Sequence, residues 1–302
     1  MDDAPQSDSP PEAYHWQFAS PVDFVPQRVV SLVPSLTESL FDLDLGQRLV
    51  GVTAYCVRPL SGVQLLPRVG GTKNPDIEAI VRLGPDLVLM NDEENRREDA
   101  ESLQAADIPV WVTGPRSIAD VLNLLWTIMD VFDHTVMVPR VHEIERAYDY
   151  TLAATRNAPL VPTFAPIWRD PWMTFNADTY AHDVLRVCGG VNVFADRERQ
   201  FPLAADLGEG DPLPADDPQV AGRDRRYPRI SLDEVVAAQP ELVLLPDEPY
   251  AFTAENADAI RALDIPAARS GRVHLIDGSL LTWHGTRAAY ALRDLPALIL
   301  GE

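Results

Sequence analysis

The chain has 302 residues, of which 46% are hydrophobic, and its net charge is −21 at pH 7. This charge argues against nucleic acid as a partner, because phosphates are bound by lysine and arginine and Lys73 is the only lysine. Neither Cys56 nor Cys188 belongs to a Cys-x-x-Cys pair, so there is no structural zinc signature, and two cysteines are too few for an iron–sulfur cluster. The length suits two α/β lobes better than one.

Residues 1–26 are acidic and proline-rich, which predicts a disordered tail. They contain neither the basic start nor the apolar core of a signal peptide. As written, the sequence therefore indicates either a cytoplasmic protein or a chain whose leader is missing. No apolar stretch is long enough to cross a membrane.

Residues 27–135 are predicted to form an N-terminal lobe. Short apolar runs alternate with helical patterns, which is typical of a parallel sheet flanked by helices. Ligands bind such sheets at the C-terminal ends of the strands. The loops expected there carry the candidate ligand-binding residues Tyr55, Thr72, Lys73, Asn91, Glu93 and Arg116.

Residues 136–157 are predicted to form one long connecting helix. A helix of about 21 residues spans about 31 Å, enough to cross from one lobe to the other. Residues 158–302 are predicted to form the second α/β lobe. Within it, residues 201–222 contain five acids and no base, which indicates a mobile acidic loop.

A repeated unit supports the two-lobed interpretation. The stretch from Asp76 to Met90 recurs as Leu232 to Leu245, offset by 155 residues, as a helix, a proline and a buried strand. Each copy carries an acid at the same helical position, Glu78 in the first and Asp233 in the second.

The order of these features resembles the class III, helical-backbone group of periplasmic substrate-binding proteins. That group includes the vitamin B12, ferric-siderophore and haem receptors of ABC importers. The resemblance covers about residues 27–300 and is closest to the cobalamin-binding branch. The segments that carry it are residues 28–38, 51–53, 76–89, 187–194 and 231–244.

The resemblance implies a non-enzymatic protein with two lobes joined by one long helix and a ligand held in the cleft between them. It also implies a monomer in the periplasm or at the cell surface. Members dock on the importer's membrane subunits through one acid per lobe, and the matching positions are Glu78 and Asp233. The sequence has no Gly-x-Ser-x-Gly elbow that would favour a hydrolase.

The implied ligand is a cobalamin-like corrinoid or another metal chelate, with no covalent cofactor and no metal site of the protein's own. The alternatives are a receptor for a ferric siderophore or haem, and a cytoplasmic sensor or carrier on the same fold. The resemblance places aromatic residues of the B12 receptor at Tyr55, Trp168 or Trp172, Tyr227 and Trp283. Thr72 and Asn91 stand where that receptor has further aromatics.

Charged side chains complete the predicted cleft. Arg116, Arg169 and Lys73 are candidates for pairing with anionic groups of a siderophore or haem. His284 is a candidate ligand for the cobalt or iron of a chelate, and Cys56 is another.

Overall fold

The computed structural model describes residues 22–301, so most of the predicted tail lies outside the described residues. The strands are β1 (Val29–Ser31), β2 (Leu49–Val52), β3 (Leu87–Asn91), β4 (Val110–Thr113), β5 (Val161–Phe164), β6 (Gly190–Asn192), β7 (Leu242–Pro246) and β8 (Val273–Ile276). They form two parallel sheets with the orders β2-β1-β3-β4 and β6-β5-β7-β8. The predicted fold of two small parallel sheets is therefore confirmed, and both sheets have the same topology.

Helices flank both sheets. They are α1 (Pro34–Asp42), α2 (Leu60–Val63), α3 (Ile77–Leu83), α4 (Arg97–Ala105), α5 (Ile118–Val131), α6 (Val138–Thr155), α7 (Tyr180–Val187), α8 (Leu203–Asp206), α9 (Leu232–Ala238), α10 (Ala254–Arg261), α11 (Pro266–Arg269), α12 (Ser279–Thr282) and α13 (Ala288–Leu300). Within residues 22–301, none of these helices is long and apolar enough to cross a bilayer.

The sequence repeat corresponds to a structural repeat. Helix α3 and strand β3 in the first lobe have the same lengths as α9 and β7 in the second, at the same offset of 155 residues. Asp76 and Ser231 cap the N-termini of the two helices with their side chains. Gly84 and Gln239 end them in the left-handed conformation. The local sequence thus fixes the start and the end of this unit in both lobes.

The connecting helix is α6, an 18-residue helix that begins two residues after the predicted boundary. At 1.5 Å per residue it spans about 27 Å. Val141 and Ile144 are buried on one face, and the helix packs against α5 and α13. A long helix therefore joins the lobes, as predicted.

The hydrophobic core is continuous between the lobes. On β3, Leu87 and Leu89 point into a central cluster that also contains residues of α5, α6, α7 and α13. Val88 and Met90 point to the opposite face, into a smaller cluster of the first lobe. Alternation with period two explains this division. Because β7 alternates in the same way, both sheets share one central core, which fixes the lobes to each other.

The acidic segment 201–222 is anchored to the second lobe. Phe201 and Val220 are buried. The carboxylate of Asp206, also buried, accepts hydrogen bonds from two backbone N–H groups at 2.8 and 2.9 Å. Most side chains between positions 208 and 219 are exposed. The predicted mobility stays a prediction, and it applies to this exposed part.

Candidate functional site

The C-terminal ends of the two sheets face each other across a cleft. Asn91 ends β3 of the first lobe, and its Nδ2 lies 3.2 Å from Nε2 of His284, which follows β8 of the second. Arg58 follows β2 and contacts Asp277, which follows β8, at 3.0 Å. Contacts between the loops after these strands place the cleft where parallel sheets bind ligands.

His284 lies in the base of the cleft. We define the base as His284 together with the contact between α1 and the turn Gly285–Arg287. Its Nε2 is 3.3 Å from Oγ of Ser35, and its ring meets Tyr180 edge-on. Burial, with a further contribution from the charge of Arg116, lowers the pKa of His284 to about 3. The imidazole is therefore neutral at pH 7, and Nε2 faces protein groups. Its predicted role as a metal ligand stays a prediction.

Polar contacts tie the base together. The guanidinium of Arg287 forms a buried pair with Glu38 of α1, with Nε 2.9 Å from Oε2. The N–H of Thr286 donates to Oγ of Ser39 at 3.0 Å. Gly285 has φ of +79°, and a Cβ there would lie 2.1 Å from Oγ of Ser39. Only glycine fits this close approach of the two lobes.

Two arginines from opposite lobes meet one carboxylate in the centre of the cleft. Nη1 of Arg116, in the loop after β4, lies 2.7 Å from Oε1 of Glu93. Nη1 of Arg226, in the segment before α9, contacts the same oxygen. Arg116 also pairs with Asp92, and Arg226 with Asp224. Burial raises the pKa of Glu93, and the two arginines oppose that shift.

Tyr227 belongs to the same group, because its side chain is hydrogen-bonded to Glu93. Burial and the neighbouring Glu93 charge raise the pKa of Tyr227, so its hydroxyl is protonated and donates. Nζ of Lys73 donates to the backbone carbonyl of Glu93 at 2.6 Å. Local burial lowers the pKa of Lys73.

Glu94 and Glu248 come from opposite lobes and lack an arginine partner in the contacts of residues 22–301. Burial, then repulsion by Glu93 and by Glu248, raises the pKa of Glu94 to about 8. Glu248 accepts a hydrogen bond from Oγ1 of Thr282 at 3.1 Å, and burial raises its pKa as well. The cleft centre therefore holds both cationic donors and protonatable acceptors.

Aromatic rings cluster in the second lobe, in the loops after β5 and β7. Trp168, which is 44% exposed, meets Tyr250 edge-on with centroids 5.5 Å apart. Tyr250 contacts Phe252 at 4.8 Å, and Phe252 stacks on Trp172 at 5.7 Å. Tyr55 stands on the opposite lobe with 63% of its surface exposed. Each lobe thus carries an exposed aromatic ring in a loop that follows a strand.

The remaining predicted residues differ in exposure. Trp283 is only 8% exposed, and its ring packs under the guanidinium of Arg58 at 5.7 Å. Arg169 packs over Trp172 at 5.8 Å. The carbonyl of Thr72 accepts from Nδ2 of Asn95 at 2.9 Å. The ligand roles of these residues stay predictions, and Trp283 has little surface left for a ligand.

The thiol of Cys56 is enclosed. Its Sγ lies 3.1 Å from Oγ1 of Thr37 and 3.2 Å from Oγ1 of Thr53, and burial raises its pKa. Among residues 22–301, no three His, Cys, Asp or Glu side chains are grouped to hold a metal ion. The candidate ligand-binding groups of the cleft are therefore its aromatic and charged side chains.

Sequence reasoning missed Arg226, Glu248, Tyr250 and Phe252. The repeat itself carries a signal for Glu248. Extended by three residues at the same offset, Asp92-Glu93 falls on Asp247-Glu248. Each lobe thus places the same acidic pair directly after its third strand.

Glu78 and Asp233 lie outside this polar centre, at the second residue of α3 and of α9. Both are exposed. They occupy equivalent surface positions on the two lobes.

Comparisons with known proteins agree with this architecture. The sequence profile of the family described as "Periplasmic binding protein" matches residues 29–280. The vitamin B12-binding proteins of Yersinia pestis (strain Pestoides F) and Yersinia pseudotuberculosis (serotype O:1b, strain IP 31758) are each 32% identical over 178 residues. These matches cover 58% of this chain and 63% of each relative, just under two thirds of the relatives' length.

Solved structures share the fold. The periplasmic vitamin B12-binding protein of Vibrio cholerae superposes with a TM-score of 0.72 at 19% identity, covering 91% of this chain and 97% of that one. A periplasmic haem-binding protein from Roseiflexus sp. RS-1 superposes with a TM-score of 0.69 at 21% identity. This match covers 91% of this chain and 98% of that one. With a profile match over most of its length, the chain belongs to the periplasmic binding protein family.

Proposed function

We propose that this protein binds a cobalamin-like corrinoid in the cleft and delivers it to an ABC importer. The observation that carries the proposal is the pair of exposed rings, Tyr55 after β2 of the first lobe and Trp168 after β5 of the second, in loops at the strand ends that flank the polar centre. A flat macrocycle with polar arms needs apolar walls and a few directed polar groups. The vitamin B12-binding relatives support this choice of ligand.

The central side chains suit amide arms. The guanidinium groups of Arg116 and Arg226 supply N–H donors for amide carbonyls, and the Tyr227 hydroxyl, which donates to Glu93, can accept from an amide N–H. Glu94 and Glu248 supply oxygen atoms for amide N–H groups. Cobalamin periphery offers both kinds of group, so no charge needs to be left unpaired on binding.

A haem or ferric-siderophore receptor is the second candidate. The guanidiniums of Arg116 and Arg169 and the ammonium of Lys73 favour it, because each can pair with a carboxylate. In the described structure Arg116 is already paired with two acids. Because the guanidinium group of Arg116 is already paired with these acids, a corrinoid with neutral amide arms is favoured over an anionic chelate.

Importer docking and location follow from the same proposal. Glu78 and Asp233, equivalent and exposed on the two lobes, are proposed to meet cations of the membrane subunits. Such a protein works in the periplasm or at the cell surface, and it binds rather than converts its ligand. A charge reversal, Asp233→Arg, should weaken capture of the importer without changing affinity for cyanocobalamin, and unchanged capture would contradict the docking assignment.

The ligand is tested by titrating the purified chain with cyanocobalamin and following tryptophan fluorescence. We expect saturable quenching at micromolar concentration or below. Tyr55→Ala should weaken binding about fivefold, because one stacked ring is worth on the order of 1 kcal/mol. Tyr150→Ala is the matched control, since Tyr150 is a 76% exposed tyrosine on α6.

Haem and a ferric hydroxamate are titrated in parallel. Binding of haem without binding of cyanocobalamin would replace the proposed ligand by the second candidate. Equal losses in Tyr55→Ala and Tyr150→Ala would place the ligand away from Tyr55. A cytoplasmic carrier would be indicated if the cobalamin-binding protein fractionated entirely with the cytoplasm.

A further inference from the structure

The carboxylate of Glu93 holds two arginines that come from different lobes. Arg116 and Arg226 both contact Oε1, and the side chain of Glu93 is 25% exposed. Hydrogen bonds between charged partners that are partly shielded from water are stronger than exposed ion pairs. Glu93 therefore occupies the cationic groups that an anionic ligand would need.

The equivalent acid of the second lobe lacks this arrangement. Glu248 follows β7 as Glu93 follows β3, yet it accepts from Thr282 and from Trp283 instead of from arginines. The fold can thus carry an acid at this position with neutral partners. The arginine pair is a property of the Glu93 side of the cleft and not a requirement of the sheet.

Charges near Glu93 are close to balance. Arg116 and Arg226 face Asp92, Glu93 and Asp224, which leaves one negative charge in this cluster. The ammonium of Lys73, bonded to the Glu93 carbonyl, lies beside it. Removing the charge of Glu93 would leave this region with one positive charge and with two guanidiniums that each have a free N–H group.

We propose that Glu93 sets the charge selectivity of the cleft, so that ligands with neutral amide arms bind and ligands with carboxylate arms are disfavoured. This assignment rests on the proposed corrinoid function. A ligand carboxylate would either sit at the remaining N–H groups beside the like charge of Glu93, or displace Glu93 and leave it charged and unpaired in a partly buried place, and both are unfavourable. An amide carbonyl needs only the remaining guanidinium N–H groups. Glu93 acts as a specificity residue through the two arginines that it holds.

The test compares two corrinoids that share the corrin ring and the cobalt. Dicyanocobinamide carries amide arms, whereas dicyanocobyrinic acid carries carboxylates. We expect the wild-type chain to bind the amide compound at least about tenfold more tightly. Glu93→Gln, which keeps the size of the side chain, should reduce that ratio by about tenfold or more, mainly through tighter binding of the carboxylate compound.

Glu101→Gln is the charge-matched control. Glu101 pairs with Arg97 on the exposed side of α4, so the affinity ratio should stay at the wild-type value. A second variant, Arg226→Gln, should move the ratio in the direction opposite to Glu93→Gln, because it removes a cation and leaves the acid. It keeps the assignment testable if Glu93→Gln fails to fold, as judged by circular dichroism.

The outcomes separate the two proposals. If the wild-type chain binds a corrinoid but does not discriminate, or if Glu93→Gln leaves the ratio unchanged, the selectivity assignment is wrong and the corrinoid function stands. If neither corrinoid binds to the wild-type chain, the corrinoid function fails and the assignment fails with it.

Discussion

The two lobes meet at the base of the cleft and again at its mouth, which we define by the pair Arg58–Asp277. At the base, the side chains of Glu38 and Arg287 are about 10% exposed or less, whereas at the mouth those of Arg58 and Asp277 are 40% and 37% exposed. Removing one partner of a buried ion pair costs much stability, because the other charge is left buried and unpaired. An exposed ion pair contributes little to the free energy of unfolding. The comparison suggests lobes that are fixed at the base and adjustable where the ligand enters.

The strongest test of this comparison is to break the buried pair. Arg287→Met keeps much of the side-chain volume but leaves the Glu38 carboxylate buried without its partner. We expect a loss of about 3–5 kcal/mol in the free energy of unfolding, measured by urea denaturation. Adding Glu38→Gln should restore part of that loss. A loss below about 1 kcal/mol would mean that the base is no more rigid than the mouth.

The pH dependence of stability tests the same region. His284 has a pKa of about 3 in the folded protein, and an unfolded histidine has about 6.5. Between these values the unfolded chain binds more protons, so the stabilisation is complete above pH 6.5 and is lost as the pH falls toward 3. We expect His284 to account for a loss of about 2 kcal/mol between pH 7 and pH 5.

His284→Gln serves as the comparison, because it removes the titrating group. The variant should lose about 2 kcal/mol less than the wild type over the same interval, although its stability at pH 7 is lower. The contributions of His182 and His274, whose pKa values burial also lowers, remain in both proteins. Parallel pH profiles for variant and wild type would show that His284 is not held neutral.

The smallest effect is expected at the mouth. Arg58→Gln removes the half-exposed pair with Asp277, and we expect less than about 1 kcal/mol of lost stability. Raising the salt concentration to 0.5 M should remove most of the difference, since exposed charges are screened. A loss above about 2 kcal/mol that persists in salt would make the mouth a structural contact.

Local patterns explain how much of this fold the sequence could predict. Helix α3, strand β3 and their second copies were predicted because caps, a proline stop and apolar periodicity are all local signals. Asn91, Glu93 and Arg116 were predicted on one rim because parallel strands end at the same edge. In the structure Asn91 contacts His284, and Arg116 pairs with Glu93.

The rest depends on contacts that no local pattern encodes. Arg226 lies 133 residues from Glu93, and their contact exists only once both lobes have packed. Trp283 was predicted as a ligand residue from the resemblance to the B12 receptor, yet its segment turns into the base of the cleft and leaves the ring only 8% exposed. Tyr250 was missed because a single aromatic residue after a strand carries no signal of its neighbours.

The solitary lysine makes the molecule simple to label. Apart from the N-terminal amine, Lys73 supplies the only amino group, and both cysteines are buried. Because burial lowers the pKa of Lys73, its amine is more easily deprotonated than an ordinary lysine, and it is the deprotonated amine that acylating dyes attack. The ammonium lies beside the Glu93 carbonyl. A fluorophore attached there would stand at the cleft and turn the unmodified sequence into an optical biosensor.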